Sequence, residues 1–257
     1  MKEIQLLDML KSGVHFGHQK CRWHPKMKPY IYTSRSGIYI IDLEKTAEKL
    51  REACDFISTT VSHGGKILFV ATKRQAQPIV QKAAREAGML FVTERWIGGT
   101  LTNFENISKL IRRLKDLRSK KQKGELDKYT KREQLQFTEE IEYLEKLVGG
   151  IQEMEKLPQA LFVVDVRKEK TAIREARKKK IPIIAMVDTN CNPDLIDYPI
   201  PANDDATKSI KIIVSAVFDS ITTTEVKKTA PQGEPQKSED ATAKQEEVAS
   251  TNEKDKN

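Results

Sequence analysis

Four short apolar runs constrain the fold of this chain more than any other feature. Each has the pattern of a strand that is buried on both faces of a sheet. The runs are GKILFVAT at 65–72, MLFV at 89–92, ALFVVD at 160–165 and IPIIAMVD at 181–188. Stretches with helical periodicity lie between and after them, at 76–86, 170–180 and 206–221. Because strands and helices alternate, the sequence predicts an α/β fold with a parallel sheet and helices on both sides.

Two further segments precede the first of these runs. Residues 37–42 (GIYIID) and the helix predicted at 43–62 form another strand and helix, and we expect this strand to join the same sheet. A short helix at 4–11 and the loop after it lie outside the alternation. The predicted α/β domain therefore comprises residues 1–105 and 158–224.

The interval 106–157 interrupts the alternation with two amphipathic helices. Residues 109–132 contain 11 Lys or Arg and 3 acidic residues, whereas 133–155 contain 7 acidic residues and one Lys. Oppositely charged antiparallel helices attract each other, so we predict an inserted coiled-coil hairpin that projects from the sheet domain. The alternative is a pair of helices that lies flat on the core.

Composition separates a tail from the folded part of the chain. Residues 225–257 contain almost no branched or aromatic residues, which predicts a disordered tail. Residues 1–224 then carry a net charge near +10, which favours a polyanionic partner. Three widely spaced cysteines, no apolar run of about 18 residues and an N-terminus unlike a signal peptide favour a cytoplasmic protein without membrane association.

The predicted sheet invites an enzyme interpretation, but the phosphate-binding motifs are missing. Neither G-x-G-x-x-G after the first strand nor G-x-x-x-x-G-K-[ST] occurs in the sequence. Instead, Lys73 and Arg74 directly follow the run at 65–72, where two cations could grip the phosphates of a nucleic acid. The alternative is two solvated cations at a helix start. No arrangement of nucleophile and base stands out, so we assign no catalytic residue.

Residues 15–32 alternate cationic and aromatic side chains. Arg and Lys neutralise phosphates and exposed rings stack on unpaired bases, so this mixture is typical of RNA binding. We expect Pro25 and Pro29 to hold the segment extended. The alternative is that Phe16, Trp23 and Tyr30 anchor a surface loop in the core.

Two groups of residues could hold a metal ion, although the sequence requires no cofactor. His15, His18, Cys21 and His24 follow one another at a spacing of three, which allows a zinc site. The acidic group comprises Asp188, Asp204 and Asp205, which could bind a divalent ion such as Mg²⁺ if the chain brings them together. Helix capping explains Asp204 or Asp205 without an ion.

Five segments identify a family resemblance. They are HFGHQ at 15–19, GGKILFVATKRQAQ at 64–77, RWIGGTLTNF at 95–104, PQALFVVDVRKEKTAIREA at 158–176 and NPDLIDYPIPANDDA at 192–206. Together they resemble the bacterial small-subunit ribosomal proteins of the S2 family over residues 4–222. The resemblance implies a flavodoxin-like sheet with an inserted coiled-coil hairpin. It also implies a non-enzymatic protein that binds small-subunit rRNA near the junction of head and body and helps to dock the large messenger-binding ribosomal protein.

Chemistry and resemblance together assign the expected rRNA contacts, and we expect no homo-oligomer. These contacts are Lys11, His15, His18, Lys20, Arg22, Trp23, Lys26, Lys28, Lys73, Arg74, Arg95, Trp96, Asn103, Arg112 and Arg113. Two other classes of function stay open: an α/β enzyme that acts on a nucleotide or sugar phosphate, and a protein-interaction module built on the hairpin.

Overall fold

The computed structural model describes residues 5–229 of the chain. Its α-helices are α1 (Leu6–Lys11), α2 (Leu43–Ser62), α3 (Gln77–Glu86), α4 (Phe104–Gln122), α5 (Lys131–Val148), α6 (Lys170–Lys178) and α7 (Thr207–Thr229). Its strands are β1 (Phe16–Gln19), β2 (Ile31–Arg35), β3 (Ile38–Ile41), β4 (Ile67–Val70), β5 (Leu90–Val92), β6 (Ala160–Val164), β7 (Ile183–Val187) and β8 (Tyr198–Pro201). Short 3₁₀ helices lie at Lys20–Arg22, Pro25–Tyr30, Gly149–Ile151 and Pro193–Leu195.

The central sheet has five parallel strands in the order β5-β4-β6-β7-β8. Numbered along the chain, this order is 2-1-3-4-5, which is that of flavodoxin-like folds. The four apolar runs form β4 to β7, so the predicted parallel sheet is confirmed. Strand β8 has the sequence YPIP and was not predicted, because its two prolines disguise it.

Side chains of the central strands alternate between two buried layers. Phe69 and Phe162 face the layer of α2, α3 and α7, where the Phe69 ring stacks on Phe218 at 4.4 Å between centroids. Leu68 and Val163 face the opposite layer, which contains the apolar sides of α4, α5 and α6. Helices therefore cover both faces of the sheet, as the alternation of the sequence predicts.

The expectation that residues 37–42 join the central sheet is wrong. Strand β3 is the middle strand of a separate antiparallel sheet with the order β1-β3-β2. Ser36 and Gly37 join β2 to β3 with φ angles of 50° and 79°, the geometry of a two-residue hairpin turn. This local pairing needs no crossover connection, and a parallel partner would need one. The helix predicted to follow is confirmed as α2.

The expectation of an extended chain around Pro25 and Pro29 is also wrong. Residues Pro25–Tyr30 form a 3₁₀ helix, because Pro25 occupies the first helical turn, where its missing N–H costs nothing. The Nδ1 atom of His24 caps this helix by accepting a hydrogen bond from the backbone N–H of Lys26 at 3.3 Å.

Helices α4 and α5 contact each other through opposite charges. Arg113 binds Glu140 with two hydrogen bonds of 2.9 and 3.0 Å, and Arg118 pairs with Glu145 at 2.5 Å. The apolar sides of both helices lie in the same buried layer as the sheet, which agrees with helices packed on the core. The projecting coiled-coil hairpin stays a prediction.

The C-terminal helix α7 ends at Thr229, five residues into the segment predicted as a disordered tail. The rest of that predicted tail lies outside the described residues. Within residues 5–229, none of the helices has the length and apolar character needed to cross a membrane.

Candidate nucleic-acid interface

The carboxyl ends of the central strands bring charged side chains from distant parts of the sequence together. Lys73 follows β4, Asp165 follows β6 and Asp188 follows β7, while Asp204 and Asp205 follow β8. His18 of β1 completes this group, which we call the edge cluster. The condition set for the acidic group is therefore met, since Asp188, Asp204 and Asp205 lie at one edge, together with Lys73, His18 and Asp165.

Lys73 lies at the centre of the edge cluster. Its Nζ atom lies 2.8 Å from Asp204 Oδ1, 2.6 Å from Asp205 Oδ1 and 3.6 Å from Asp165 Oδ2. Burial alone would lower the pKa of Lys73, but Asp204, Asp205 and Asp165 outweigh it and raise the pKa. Lys73 thus shares its charge with three carboxylates, and its contact with RNA stays a prediction.

The carboxylates of the edge cluster are not equivalent. Burial, followed by the negative charges of Asp188 and Asp165, raises the pKa of Asp204 to about 7 despite the contact with Lys73. Burial would also raise the pKa of Asp205, but its contacts with Lys73 and His18 lower it. The negative charges of its neighbours therefore make ionisation of Asp204 less favourable than that of an ordinary carboxyl group.

His18 is held against this edge by its backbone as well as its ring. Its backbone N–H donates to Thr189 Oγ1 at 2.8 Å, and a Cβ atom on the neighbouring Gly17 would lie 2.5 Å from Thr189 Cγ2. The His18 ring places Nδ1 3.1 Å from Asp188 and Nε2 3.4 Å from Asp205. Both nitrogens thus face protein carboxylates, and the contact of His18 with RNA stays a prediction.

The structure does not bring the four residues of the predicted zinc set together. Within residues 5–229, the group of three or more potential ligands that lie close enough to hold an ion is His18, Asp188 and Asp205. The ring of His15 packs at a tilt of 38° against Phe16, the thiol of Cys21 contacts Gln19 and His24 caps a 3₁₀ helix.

Residues 95–103 form a loop that one buried carboxylate organises. Glu175 of α6 accepts hydrogen bonds from Trp96 Nε1 at 3.1 Å and from the backbone N–H groups of Gly99 at 2.8 Å and Leu101 at 2.9 Å. Trp96 is 9% exposed, and its N–H is occupied. This ring therefore belongs to the core, and the rRNA contact by Trp96 stays a prediction.

A basic pocket of about 1180 Å³ opens beside the edge cluster, between α6 and the loops after β1 and β7. Its cationic side chains are Arg22, Arg167, Lys170, Arg174 and Arg177. Among the described residues that line it, none is acidic. We call this site the basic pocket.

Four of these five cations, all except Arg22, are not among the contacts predicted from the sequence. Lys170, Arg174 and Arg177 follow the helical spacing of i, i+4 and i+7, while Ala172, Ile173 and Ala176 are buried on the other side of α6. A one-sided basic helix was therefore readable from the sequence. Arg167 lies in the turn before α6, and only the fold brings it to the pocket.

The side chains of the other predicted rRNA contacts differ in their exposure and in whether a carboxylate pairs with them. Exposed side chains are those of Lys11, Lys20, Arg22, Lys28, Arg74, Arg95, Asn103 and Arg112. Lys26 is paired with Asp194 and Arg113 with Glu140, so each shares its charge with a carboxylate. Trp23 is half-buried against Tyr39, with ring centroids 5.1 Å apart.

Fold and site together define a flavodoxin-like α/β protein with a basic pocket at the edge where such folds bind their ligands. A family model described as Ribosomal protein S2 matches residues 9–224, and the chain belongs to that family. It is thus a small-subunit ribosomal protein, with a structural rather than a catalytic role in the ribonucleoprotein that carries out translation.

Proposed function

We propose that this chain binds small-subunit rRNA through the basic pocket and the exposed cations that surround it. The observation that carries the proposal is the convergence of five cationic side chains on one open pocket whose described lining contains no carboxylate. Guanidinium groups bind phosphate oxygens with two parallel hydrogen bonds, so four arginines in one pocket suit a folded phosphate backbone. Arg22, Lys20 and Lys28 extend the same surface along the segment after β1.

The pocket is better suited to a polymer than to a single nucleotide. Its cations come from the segment after β1, the turn after β6 and three successive positions on one side of α6. Such a spread contacts several phosphates at once, as a nucleic-acid backbone provides. The proposal further places the contact near the junction of the head and body of the small subunit, in the cytoplasm, which rests on family membership.

Replacing Arg22 and Arg174 by alanine is expected to weaken binding to small-subunit rRNA about 10-fold at moderate salt. Two fewer phosphate contacts release fewer counterions, so the slope of log K against log salt concentration should become shallower by about 1.5. Filter binding over a series of salt concentrations measures both quantities.

The matched control is the double variant Lys208→Ala and Lys211→Ala. It removes the same charge from exposed positions on α7, which covers the opposite face of the sheet from α6. This variant should bind RNA within about 2-fold of wild type. An equal loss of RNA affinity in both variants would show that binding depends only on the net charge of the chain. A nucleotide that stabilises the chain saturably, with RNA affinity unchanged in the pocket variant, would favour an enzyme site instead.

The proposed role includes helping to dock the large messenger-binding ribosomal protein. Small subunits depleted of this chain should retain less of that protein, and addition of the wild-type chain should restore it. The variant of Arg22 and Arg174 should fail to restore it if RNA binding positions the chain first. Full retention of the messenger-binding protein on depleted subunits would contradict the docking role and leave the RNA proposal standing.

A further inference from the structure

The lining of the basic pocket contains apolar surface that phosphate binding does not use. Val166, Ile173 and Cys191 form one part of this lining, and all three belong to the buried layer that contains the apolar sides of α4, α5 and α6. Leu195, which is 40% exposed, forms another part. Phosphate oxygens gain nothing from apolar contacts, whereas the faces of nucleic-acid bases do. The lining therefore indicates a ligand with an apolar face as well as an anionic group.

The pocket is also larger than contacts along a phosphate backbone require. Its volume of about 1180 Å³ exceeds the range of about 300–1,000 Å³ that is typical of pockets for small molecules. One nucleotide therefore fits inside the pocket while its neighbours in the polymer stay outside. A base that is already unpaired in an RNA loop or bulge enters such a pocket at the least cost, because no base pair has to be broken.

Two asparagine side chains of the lining offer hydrogen-bond donors. The Oδ1 atom of Asn190 accepts a hydrogen bond from the Cys191 thiol at 2.9 Å, and that of Asn192 accepts one from the backbone N–H of Asp194 at 3.1 Å. Both oxygens are thus occupied, whereas neither Nδ2 group has a hydrogen-bond partner in the part of the chain that the structure describes. Each amide therefore keeps its two N–H donors for a ligand.

His24 and the cations of the lining add further donors. His24 Nδ1 accepts a hydrogen bond from the backbone N–H of Lys26, so a neutral His24 ring carries its proton on Nε2. Arg and Lys side chains have no acceptor atoms. These side chains suit a base that presents acceptors. Guanine offers O6 and N7 and uracil offers O4, whereas adenine and cytosine carry an amino donor where these bases have O6 or O4.

We propose that the basic pocket binds one unpaired nucleotide of the RNA, whose base is guanine or uracil. The proposal rests on the function proposed above and adds to it the kind of RNA that the pocket selects. The base contacts the apolar lining, and Asn190 and Asn192 donate to its acceptor atoms. The cations bind the phosphates on either side of this nucleotide. A continuous A-form duplex offers no free base, so it uses the cations alone.

Binding of fluorescein-labelled RNAs to the full chain, measured by fluorescence anisotropy, tests the proposal. The RNAs share one duplex sequence and differ in a single bulged nucleotide, which is guanine, uracil, adenine, cytosine or an abasic residue, and the unbulged duplex is the reference. The abasic bulge controls for the flexibility that a bulge gives to the backbone. We expect bulged guanine or uracil to bind about 10-fold more tightly than the abasic bulge. Bulged adenine and cytosine should bind about 5-fold more weakly than guanine or uracil.

Two substitutions separate contacts with the base from contacts with phosphate. Asn190→Ala should reduce the preference for guanine over adenine to within about 2-fold, and Leu195→Ala should weaken the binding of every bulged base about 3-fold. Neither should change the affinity for the unbulged duplex, because neither removes a charge. The matched controls are Asn106→Ala on α4 and Leu135→Ala on α5, whose side chains are exposed and lie outside the pocket. Both should bind all the RNAs as wild type does.

Equal affinity of wild type for the guanine, abasic and unbulged RNAs would overturn this proposal and leave phosphate binding by the pocket intact. Adenine bound as tightly as guanine would also overturn it, because the donors of the lining would then not distinguish the bases. The function proposed above fails separately, if the variant of Arg22 and Arg174 binds the unbulged duplex as tightly as wild type does.

Discussion

Glu175→Gln is expected to lower the free energy of unfolding by about 3 kcal/mol. The carboxylate accepts hydrogen bonds from Trp96 Nε1, from the backbone N–H groups of Gly99, Leu101 and Thr102, and from the Thr102 hydroxyl. Glutamine has nearly the same shape, but its amide places N–H groups against donors that then lose their acceptor. Several buried N–H groups remain unsatisfied, and each costs about 1 kcal/mol or more. Urea denaturation followed by circular dichroism measures the change.

The pH dependence of stability provides a second readout for Glu175. Burial alone would raise its pKa, but the N–H donors of Gly99 and Leu101, with the others of this loop, hold the pKa below its ordinary value. Because the pKa of Glu175 is lower in the folded than in the unfolded chain, its ionised carboxylate stabilises the fold at pH values above the ordinary carboxyl pKa. This contribution is lost as the pH falls through the lowered pKa of the folded state. Glu175→Gln should therefore reduce the loss of stability in acid below about pH 4.5.

The control for this variant is Glu86→Gln on α3. Glu86 is 66% exposed, and its contact with Lys82 is 4.0 Å long, so its replacement should change the free energy of unfolding by less than about 0.5 kcal/mol. If Glu175→Gln proved no more harmful than Glu86→Gln, the carboxylate would not organise the loop.

Gly150→Ala is expected to destabilise the chain by about 3 kcal/mol or more, because no space exists for a methyl group. A Cβ atom at this position would lie 2.1 Å from the backbone oxygen of Phe91 and 2.6 Å from its ring. Phe91 belongs to β5, which pairs with β4 in the central sheet and cannot move away without breaking that pairing. Thermal denaturation should show a loss of about 6 to 12 °C.

The neighbouring Gly149 is a matched control for this prediction. A Cβ atom there would meet Glu145 Cγ at 3.3 Å and Glu145 Cβ at 4.0 Å, and the Cγ atom belongs to a flexible side chain that can shift. Both substitutions restrict the unfolded chain equally, so the difference between them reports the folded state. We expect Gly149→Ala to stay within about 1 kcal/mol of wild type. Similar stabilities of the two variants would show that the segment after α5 is not packed against β5.

The sequence predicts the central sheet well because its strands are buried on both faces. Such strands read as continuous apolar runs, and β4, β6 and β7 are all of this kind. Strand β3 is also a continuous apolar run, yet it belongs to an antiparallel hairpin. A short apolar run does not show which strand it pairs with, so the sequence could not assign β3 to a sheet. Strand β8 escaped detection for the opposite reason, since Pro199 and Pro201 are unusual in a strand.

The candidate site was harder to predict, because its contacts join distant parts of the chain. Lys73 and Asp204 are separated by 131 residues, and His18 and Thr189 by 171. A single sequence shows that Lys73 is cationic, but it does not show which carboxylates form ion pairs with it. The burial of Trp96 was not predicted for the same reason, since its partner Glu175 lies 79 residues away.

The two borders of the central sheet are closed to strand addition by different means. Ala202 N–H donates to Val187 O, so the alternation of β8 leaves Pro199 and Pro201 at the positions that face outward, where they have no N–H to offer a foreign strand. At the other border, Gly150 lies against the Phe91 carbonyl of β5. A strand from another molecule would therefore find no outward N–H groups at Pro199 and Pro201 and no accessible carbonyl at Phe91. Both features protect the sheet against edge-to-edge aggregation.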